Sequence, residues 1–425
     1  MNRLLDIRSY FHHVGFAFRA LKNKNFRLFF SGQIVSMLGT WIQNIALGWL
    51  VYSLTDSAVW LGVVGFAGQI PALFLTPFAG VFADRLNRRK VLIVTQVIPM
   101  FLAFAMAALV LTNTIEVWHI VLIATMNGFV IAFDNPFRHA FLLEIIKDKE
   151  LIQNSVALNS TLFNSARFIG PMLGGILIAL VGEGICFLIN GVSFMAVVFA
   201  LLAMKVQPMN LNRKHGSLIN DLAEGAKYAY NFKPIRYLLF LIVTTGFFGL
   251  PFQVFLPVFA KDILGGDSQL LGFLTGALGA GALTGAIYLA SRRGIALLPK
   301  LILGASIVFG LGLLSLSLST NITVSVLLLY FTGFGMISMY ASTNTLIQTI
   351  VDEDKRGRVM SLYGMSFLGV TPLGSLLLGS ISGAIGVQTT LLGASIICLL
   401  ASAYFFKSKA HVVKVVSKFI KLSTG

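Results

Sequence analysis

Long apolar stretches separated by short polar segments dominate the chain. Each stretch has about 17 to 25 residues, which is the length that crosses the ~30 Å hydrocarbon core of a bilayer as an α-helix. The fold class predicted from this pattern is an all-α membrane protein. We predict twelve transmembrane helices, at residues 28–52, 60–82, 91–111, 117–133, 161–181, 185–204, 238–259, 270–289, 301–318, 324–346, 359–381 and 390–406.

A charged connector divides these twelve stretches into two sets of six. Two six-helix halves imply parallel repeats, and Gly170-Pro171 in the fifth stretch is echoed by Thr371-Pro372 in the eleventh. The basic tail has Val412 and Val416 at helical spacing among its lysines, which predicts an amphipathic helix on the inner leaflet. The predicted organisation is an interfacial N-terminal segment (1–27), a first bundle (28–204), the cytoplasmic connector (205–236), a second bundle (237–406) and the amphipathic tail (407–425).

The positions of the cations explain the formal net charge of +16. Thirty of the 32 Lys and Arg residues fall on one side of the membrane in the twelve-helix arrangement. The other two are Arg167, inside a predicted helix, and Lys261, on the opposite side. Because short loops rich in Lys and Arg stay inside the cell, we predict that both termini are cytoplasmic. The basicity then indicates topology and attraction to anionic inner-leaflet lipids, and no nucleic-acid partner is expected.

Composition excludes several other classes of protein. A chain with 56% hydrophobic and 11% charged residues and a mean hydropathy of +0.85 is too apolar for a soluble enzyme. Its two cysteines, Cys186 and Cys398, lie in distant apolar stretches, so neither a disulfide framework nor a metal site is expected. The sequence contains no phosphate-binding loop and no nucleophile paired with a base, and we expect no cofactor. Residues 1–27 lack an apolar core, so a cleaved signal peptide is not expected.

The polar segment between the second and third stretches has an ordered charge pattern. Gly80 is followed four residues later by Asp84, and cations follow directly. This pattern resembles the loop signature of the major facilitator superfamily, although Leu86 and Asn87 replace the small turn residue often found there. The resemblance implies a charge cluster that locks the two halves together on the cytoplasmic side in one state and breaks in the other. The residues assigned to it are Gly80, Asp84, Arg85, Arg88, Arg89, Arg356 and Arg358.

Three further motifs narrow the resemblance within that superfamily. They are Asp-x-Pro-x-Arg at 134–138, Arg-x-x-Gly-Pro-x-x-Gly-Gly at 167–175, and a basic stretch at 355–363. Together they resemble the branch that contains enterobactin exporters and proton-driven efflux proteins. The fifth-stretch element is similar to the antiporter motif, which implies export and assigns a helix-bending role to Gly170, Pro171, Gly174 and Gly175.

Charged residues at membrane depth are the candidates for proton coupling, because such charges are costly and usually functional. Asp134, at the cytoplasmic end of the fourth stretch, is the sole acid assigned to membrane depth, and Arg138 follows it by one helical turn. Asp134 is expected either to pair locally with Arg138 or to reach Arg167 on the next helix. Arg167 either faces a central cavity or extends to the inner membrane surface. Our hypothesis is that Asp134 takes up a proton and that Arg167 modulates it.

Polar and aromatic residues in the middle of the stretches are the candidates for a substrate cavity. We assign Gln43, Asn44, Asn127, Phe248, Gln253, Tyr330 and Tyr340 to it, together with Trp41, Phe247 and Met336. For any one of them, helix packing is an equally good explanation.

The sequence therefore predicts a secondary active transporter of the bacterial inner membrane that exports a small organic molecule. The family resemblance implies proton antiport with alternating access as the mechanism and a siderophore as the favoured cargo ahead of a drug-like compound, and a monomer is expected. One alternative is a transporter of lysophospholipids or other lipids. Another is a non-transporting sensor or scaffold, but a scaffold has no need of a breakable gate. The chain is not expected to be an enzyme.

Overall fold

The computed structural model describes residues 19–83, 85–146, 148–206, 218–292 and 294–424. In this part of the chain, eleven helices are long and apolar enough to cross a membrane. Large apolar side chains such as Phe74, Phe101 and Leu180 are exposed on their surface, as expected for a surface that faces lipid. The structure thus confirms the predicted all-α membrane fold.

The first bundle contains six transmembrane helices, two of which are joined in one continuous segment. One of the eleven helices is much longer than a bilayer requires, and Gly182 interrupts it with φ 78° and ψ 169°. This left-handed conformation suits glycine and reverses the chain direction. The six helices are α1 (Lys24–Thr55), α2 (Ala58–Ala83), α3 (Arg88–Leu111), α4 (Val117–Ile145), α5 (149–181) and α6 (183–203). Helices α5 and α6 are the two parts of the segment Lys149–Ala203 on either side of Gly182.

The second bundle repeats the six-helix pattern. The helices are α7 (Lys233–Ile263), α8 (Ser268–Ala290), α9 (Leu298–Leu318), α10 (Ile322–Ile350), α11 (Glu353–Ile385) and α12 (Val387–Thr424). Polar side chains define several helix starts. Asn23, Asn87, Asp267 and Asn321 each accept a hydrogen bond from a backbone N–H in the first turn, an interaction that typically contributes about 1 kcal/mol.

A short helix, Leu218–Asn231, lies within the predicted connector and packs on the second bundle. Glu224 of this connector helix forms ion pairs with Arg358 and Lys355 at the start of α11. Tyr228 donates a hydrogen bond of 3.0 Å to Asp352. Burial is the main cause that raises the pKa of Tyr228, and this hydrogen bond is the second. The connector is therefore anchored to the second bundle, and we call this side of the molecule the connector end and the other side the distal end.

The basic tail differs from the prediction of a helix lying on the membrane surface. It continues α12 as one helix to Thr424. Val412 and Val416 are buried in the protein core, with exposed fractions of 0% and 2%, so protein covers the apolar positions that were assigned to lipid. The tail therefore extends the second bundle at the connector end.

Two closely packed helix crossings join the bundles. A Cβ built on Gly62 of α2 would lie 3.0 Å from the Cα of Gly379 in α11. A Cβ on Gly175 of α5 would lie 2.9 Å from the Cα of Gly272 in α8. Small residues permit such approach in membranes, where van der Waals packing drives helix association. These two crossings, which we call the glycine crossings, lie in the distal half of the molecule.

Candidate functional site

A cavity of about 540 Å³ lies between the two bundles. Apolar residues close to the distal end form one wall of it, including Val51, Leu61, Leu256 and Leu271. Its polar lining comes mostly from the first bundle and consists of Thr40, Gln43, Asn44, Gln69, Thr95, Gln96, Asn127, Asp134, Arg138 and Asn190, with Gln253 and Thr275 from the second bundle. The cavity is therefore chemically asymmetric.

A partly buried, hydrogen-bonded ion pair lies at the side of the cavity towards the connector end. Asp134 is 6% exposed and forms an ion pair with Arg138 one turn along α4. The other carboxylate oxygen accepts hydrogen bonds from the Thr95 hydroxyl (2.9 Å) and the Gln96 amide (2.7 Å) of α3. Arg138 also donates to the amide oxygen of Gln33 in α1. We call these five residues the Asp134 network.

The local pair that the spacing allowed is thus the one that forms. Within a helix, residues four apart lie on one face, so α4 itself places Arg138 beside Asp134. Removing one member of a buried ion pair typically costs about 3–5 kcal/mol, because the other charge stays buried without compensation. Two polar atoms of this network, Gln96 Oε1 and Arg138 Nε, are buried without a hydrogen-bond partner in the described part of the chain. Buried polar atoms without a hydrogen-bond partner favour a rearrangement that would give them one.

Amide side chains dominate the middle of the cavity. The Asn190 amide donates to Gln43 Oε1 at 2.8 Å, and Gln43 lines the cavity. The Asn127 amide donates to the Ile123 carbonyl at 3.1 Å, and its oxygen remains available. Asn44 is exposed on the cavity surface. Such groups offer both donors and acceptors to a polar ligand.

At the distal end, four residues connect the bundles through polar contacts. The Tyr52 hydroxyl donates to Asp262, and Lys261 forms an ion pair with Asp56. The Lys261 ammonium also lies 5.4 Å from the centre of the Tyr52 ring. Tyr52 and Asp56 are at the end of α1, and Lys261 and Asp262 at the end of α7, so we call this set the distal clasp. Lys261 is 37% and Asp56 71% exposed, and exposed pairs of this kind contribute about 0.2–1 kcal/mol.

The predicted charge cluster at the connector end is distributed differently from the expectation. Arg88 pairs with Glu144 at 3.3 Å, and Arg89 donates to the Leu201 carbonyl at 2.7 Å, both within the first bundle. Arg358 pairs with the connector helix, and Arg356 lies 3.9 Å from Glu353. Asp84 lies outside the described residues, whereas Gly80 and Arg85 are exposed. The ion pairs described at this end thus stay within one bundle and its connector.

The other sequence-predicted residues separate into two groups. Trp41, Gln43, Asn44, Asn127 and Gln253 line the cavity. The remainder serve packing in this structure. Tyr340 is 4% exposed and donates to the Thr245 hydroxyl at 3.1 Å, and Met336 is 2% exposed. Phe247 and Phe248 pack edge to face with ring centres 4.9 Å apart, and Tyr330 lies so close to α8 that a Cβ on Gly281 would meet its carbonyl oxygen.

The glycines of α5 serve close packing, and the helix continues through Pro171 without a break. A Cβ on Gly170 would lie 2.4 Å from Trp41 of α1, and one on Gly174 would lie 3.2 Å from the Ile42 backbone. Gly175 belongs to the glycine crossing with α8. These residues therefore fix how closely α5 approaches α1 and α8.

Sequence reasoning did not identify Thr95, Gln96, Asn190 or the distal clasp. Thr95 and Gln96 are a polar pair in an otherwise apolar run, and that interruption was the available signal. Lys261 was already notable as the lone basic residue predicted on the distal side.

Helix α7 is irregular along the cavity. It widens into π-helical turns at Thr245–Gly249 and Phe259–Ile263, with a 3-10 segment at Leu250–Phe255 between them. Helix α11 has a matching π-helical turn at Met365–Gly369, and the Thr371 hydroxyl donates to the Gly246 carbonyl at 3.1 Å. Such turns are frequent at functional positions of helices.

The chain matches the family model described as transmembrane secretion effector over residues 16–419. It is 28% identical over 392 residues to the Staphyloferrin A transporter of Staphylococcus aureus, covering 90% of this chain and 96% of the relative. It is 24% identical over 370 residues to the multidrug efflux pump Tap of Mycolicibacterium fortuitum, covering 85% and 90%.

Solved structures of similar shape are transporters too. A bacterial homolog of the human lysosomal transporter Spinster, in an inward-facing and unoccupied conformation, superposes with a TM-score of 0.72 at 12% identity, covering 92% of this chain and 98% of that one. The nucleoside transporter NupG gives a TM-score of 0.69 at 15% identity, covering 90% and 98%. At these identities the likeness concerns the fold alone.

Proposed function

Because the chain belongs to the transmembrane secretion effector family of major facilitator transporters, we propose that it exports a small organic molecule in exchange for protons. It is a multi-pass transporter of the bacterial membrane, and its relatives in this family are transporters, not enzymes. The observation that carries the proposal is the Asp134 network, a buried carboxylate with a partly buried guanidinium partner on the wall of a cavity between two bundles. A siderophore is the first candidate cargo and a drug-like compound the second, because relatives are named for each.

Proton coupling follows from the chemistry of Asp134. Protonation would remove the counter-ion of Arg138 and turn one carboxylate oxygen from an acceptor into a donor. The Gln96 side chain could then present its unpartnered oxygen to that donor after rotation of its amide. The titratable neighbours in α4 are Arg138 and His139. A change of charge at the cavity wall would thus alter contacts among α1, α3 and α4.

Alternating access would use the contacts between bundles. In this structure the glycine crossings and the distal clasp join the bundles in the distal half, while the described ion pairs at the connector end stay within one bundle and its connector. With the connector end in the cytoplasm, as the basic loops favour, this state would receive cargo from inside the cell. Opening the distal clasp would release it outside.

Transport in inverted membrane vesicles tests this proposal. Staphyloferrin A and the cationic dye ethidium serve as parallel probes, with and without an acidic vesicle interior. We expect accumulation of at least one probe that depends on the pH gradient. If folded protein accumulates neither probe, a lipid cargo or a non-transporting role becomes the better account.

The distal clasp gives a first prediction. Lys261→Glu should replace an attraction to Asp56 by repulsion and shift the population towards a distally open state by about two- to fivefold, the scale of exposed ion pairs. The measure is labelling of a cysteine at Asn44 by an impermeant thiol reagent from outside the cell, in a background without Cys186 and Cys398.

Two matched variants test the cause of that shift. Adding Asp56→Asn to Lys261→Glu should remove the repulsion between residues 56 and 261 and lower the external labelling again in part. Asn tolerates the left-handed backbone (φ 44°) that Asp56 has. Lys300→Glu makes the same charge change on an exposed connector-end residue and should have no effect. Equal labelling in all variants would mean that the clasp does not control the distal end.

A further inference from the structure

Arg167 is a cation at membrane depth. It precedes the distal end of α5 at Val181 by about fourteen residues, or ~21 Å of helix, so it lies well inside the apolar thickness of a bilayer. In the described part of the chain it forms neither an ion pair nor a hydrogen bond, and Asp134 is engaged by Arg138. A charge in this position normally has a partner or faces a water-filled cavity.

Contacts of its neighbours define the direction in which Arg167 points. Phe163 has its ring centre 6.1 Å from that of Trp41, and Gly170 receives the same tryptophan, so these positions face α1. Phe168 and Met172 face α8, where they lie against Gly279 and Gly276. With 100° between successive residues, Arg167 falls between the α1 side and the α8 side of α5.

The opposite side of α5 faces lipid. Its large exposed residues are Ile169, Leu173, Ile176 and Leu180, which recur at helical spacing. Arg167 is about half a turn away from this row and therefore points into the interior. Both helices that flank it there, α1 through Trp41 and α8 through Thr275, line the cavity within about one helical turn of their contacts with α5.

Arg167 also lies at the seam between the bundles. A Cβ on Gly279 of α8 would meet the Arg167 carbonyl oxygen at 2.6 Å. The Arg167 backbone is thus held by the first bundle directly against the second. A ligand bound to it would be sensitive to the relative position of the two bundles.

We propose that Arg167, which lies beside the cavity without lining it in this structure, binds an anionic group of the cargo, specifically a carboxylate, next to the connector side of the cavity. The proposal rests on the transport function proposed above and assigns its substrate class, a carboxylate-bearing organic molecule. A guanidinium presents two parallel N–H donors that match the two oxygens of a carboxylate. The cavity amides, among them Gln43 and Asn44, then supply neutral hydrogen bonds to the rest of the molecule.

Equilibrium binding to the purified full-length protein tests this assignment. The probes are fluorescein, which carries a carboxylate, and rhodamine 6G, a cation with a similar ring system and an esterified carboxyl group, both followed by fluorescence anisotropy. We expect Arg167→Gln to weaken fluorescein binding by about ten- to a hundredfold, the scale of a charged hydrogen bond, and to leave rhodamine 6G binding unchanged or tighter. Arg167→Lys retains the charge and should give an intermediate loss.

The outcomes separate a binding role from a structural one. If Arg167→Gln bound neither probe and Arg167→Lys bound both, Arg167 would have a structural role, and the proposal would be overturned. Equal fluorescein affinity in all three proteins, or no fluorescein binding by the unmodified protein, would also overturn it. Vesicle uptake that fails although fluorescein binding depends on Arg167 would instead count against the exporter proposal alone.

Discussion

Asp134→Asn is expected to abolish gradient-driven accumulation of the cargo. A gradient of one pH unit stores about 1.4 kcal/mol per proton, so one coupled proton can sustain an accumulation of about tenfold. Without the titrating carboxylate this ratio should fall to about one. Exchange of cargo across the membrane without a gradient should continue, because the cavity amides remain. Vesicle uptake with and without an acidic interior, together with counterflow of labelled cargo, measures both quantities.

Two variants separate coupling from folding. Asp354→Asn neutralises a connector-end carboxylate that is 71% exposed, and it should transport normally. Asp134→Asn combined with Arg138→Gln removes both charges, which relieves the buried uncompensated cation and should restore protein abundance without restoring coupling. Full gradient-driven accumulation by Asp134→Asn would contradict the assignment of Asp134 as the proton site.

Gly272→Val is expected to open the distal end and reduce transport strongly. Its Cβ would lie 2.7 Å from the Pro171 carbonyl oxygen and 3.0 Å from the Gly175 Cα, both backbone atoms that cannot turn aside. Overpacking of this kind costs about 1–3 kcal/mol, which corresponds to a shift of about 5- to 150-fold between closed and open populations. External labelling of a cysteine at Asn44 should rise, and vesicle uptake should fall by a similar factor.

Gly304→Val is the matched control. Gly304 is exposed on α9, and a Cβ there meets nothing within 4 Å, so the same substitution should leave both labelling and uptake unchanged. Normal uptake and labelling by Gly272→Val would mean that close approach of α5 and α8 is not needed for distal closure.

The periodic and local features of this fold could be predicted from the sequence. Span positions follow from hydrophobicity, because only helices or closed barrels can satisfy backbone hydrogen bonds in lipid. The pairing of Asp134 with Arg138 follows from their four-residue spacing. Gln43 and Asn127 were assigned to the cavity as polar residues in the middle of apolar runs, and the structure places them there.

Contacts across the bundles could not be predicted, because they depend on the rotation and approach of distant helices. The meeting of Gly62 with Gly379 joins residues more than 300 positions apart, and no local pattern distinguishes them among the 41 glycines. Tyr340 had the same midspan position as Asn127, but the rotation of α10 turns it into the packed core of the second bundle.

Distances between spin labels test alternating access most directly. One label pair, at Thr114 and Thr320, reports on the distal end, and another, at Leu86 and Asp354, reports on the connector end; each pair joins the two bundles. Asp134→Asn mimics the protonated acid, so comparing it with the unmodified residue separates the two charge states. The account predicts that one distance lengthens while the other shortens between these states. Two distances that stay constant, or that change in the same direction, would contradict it.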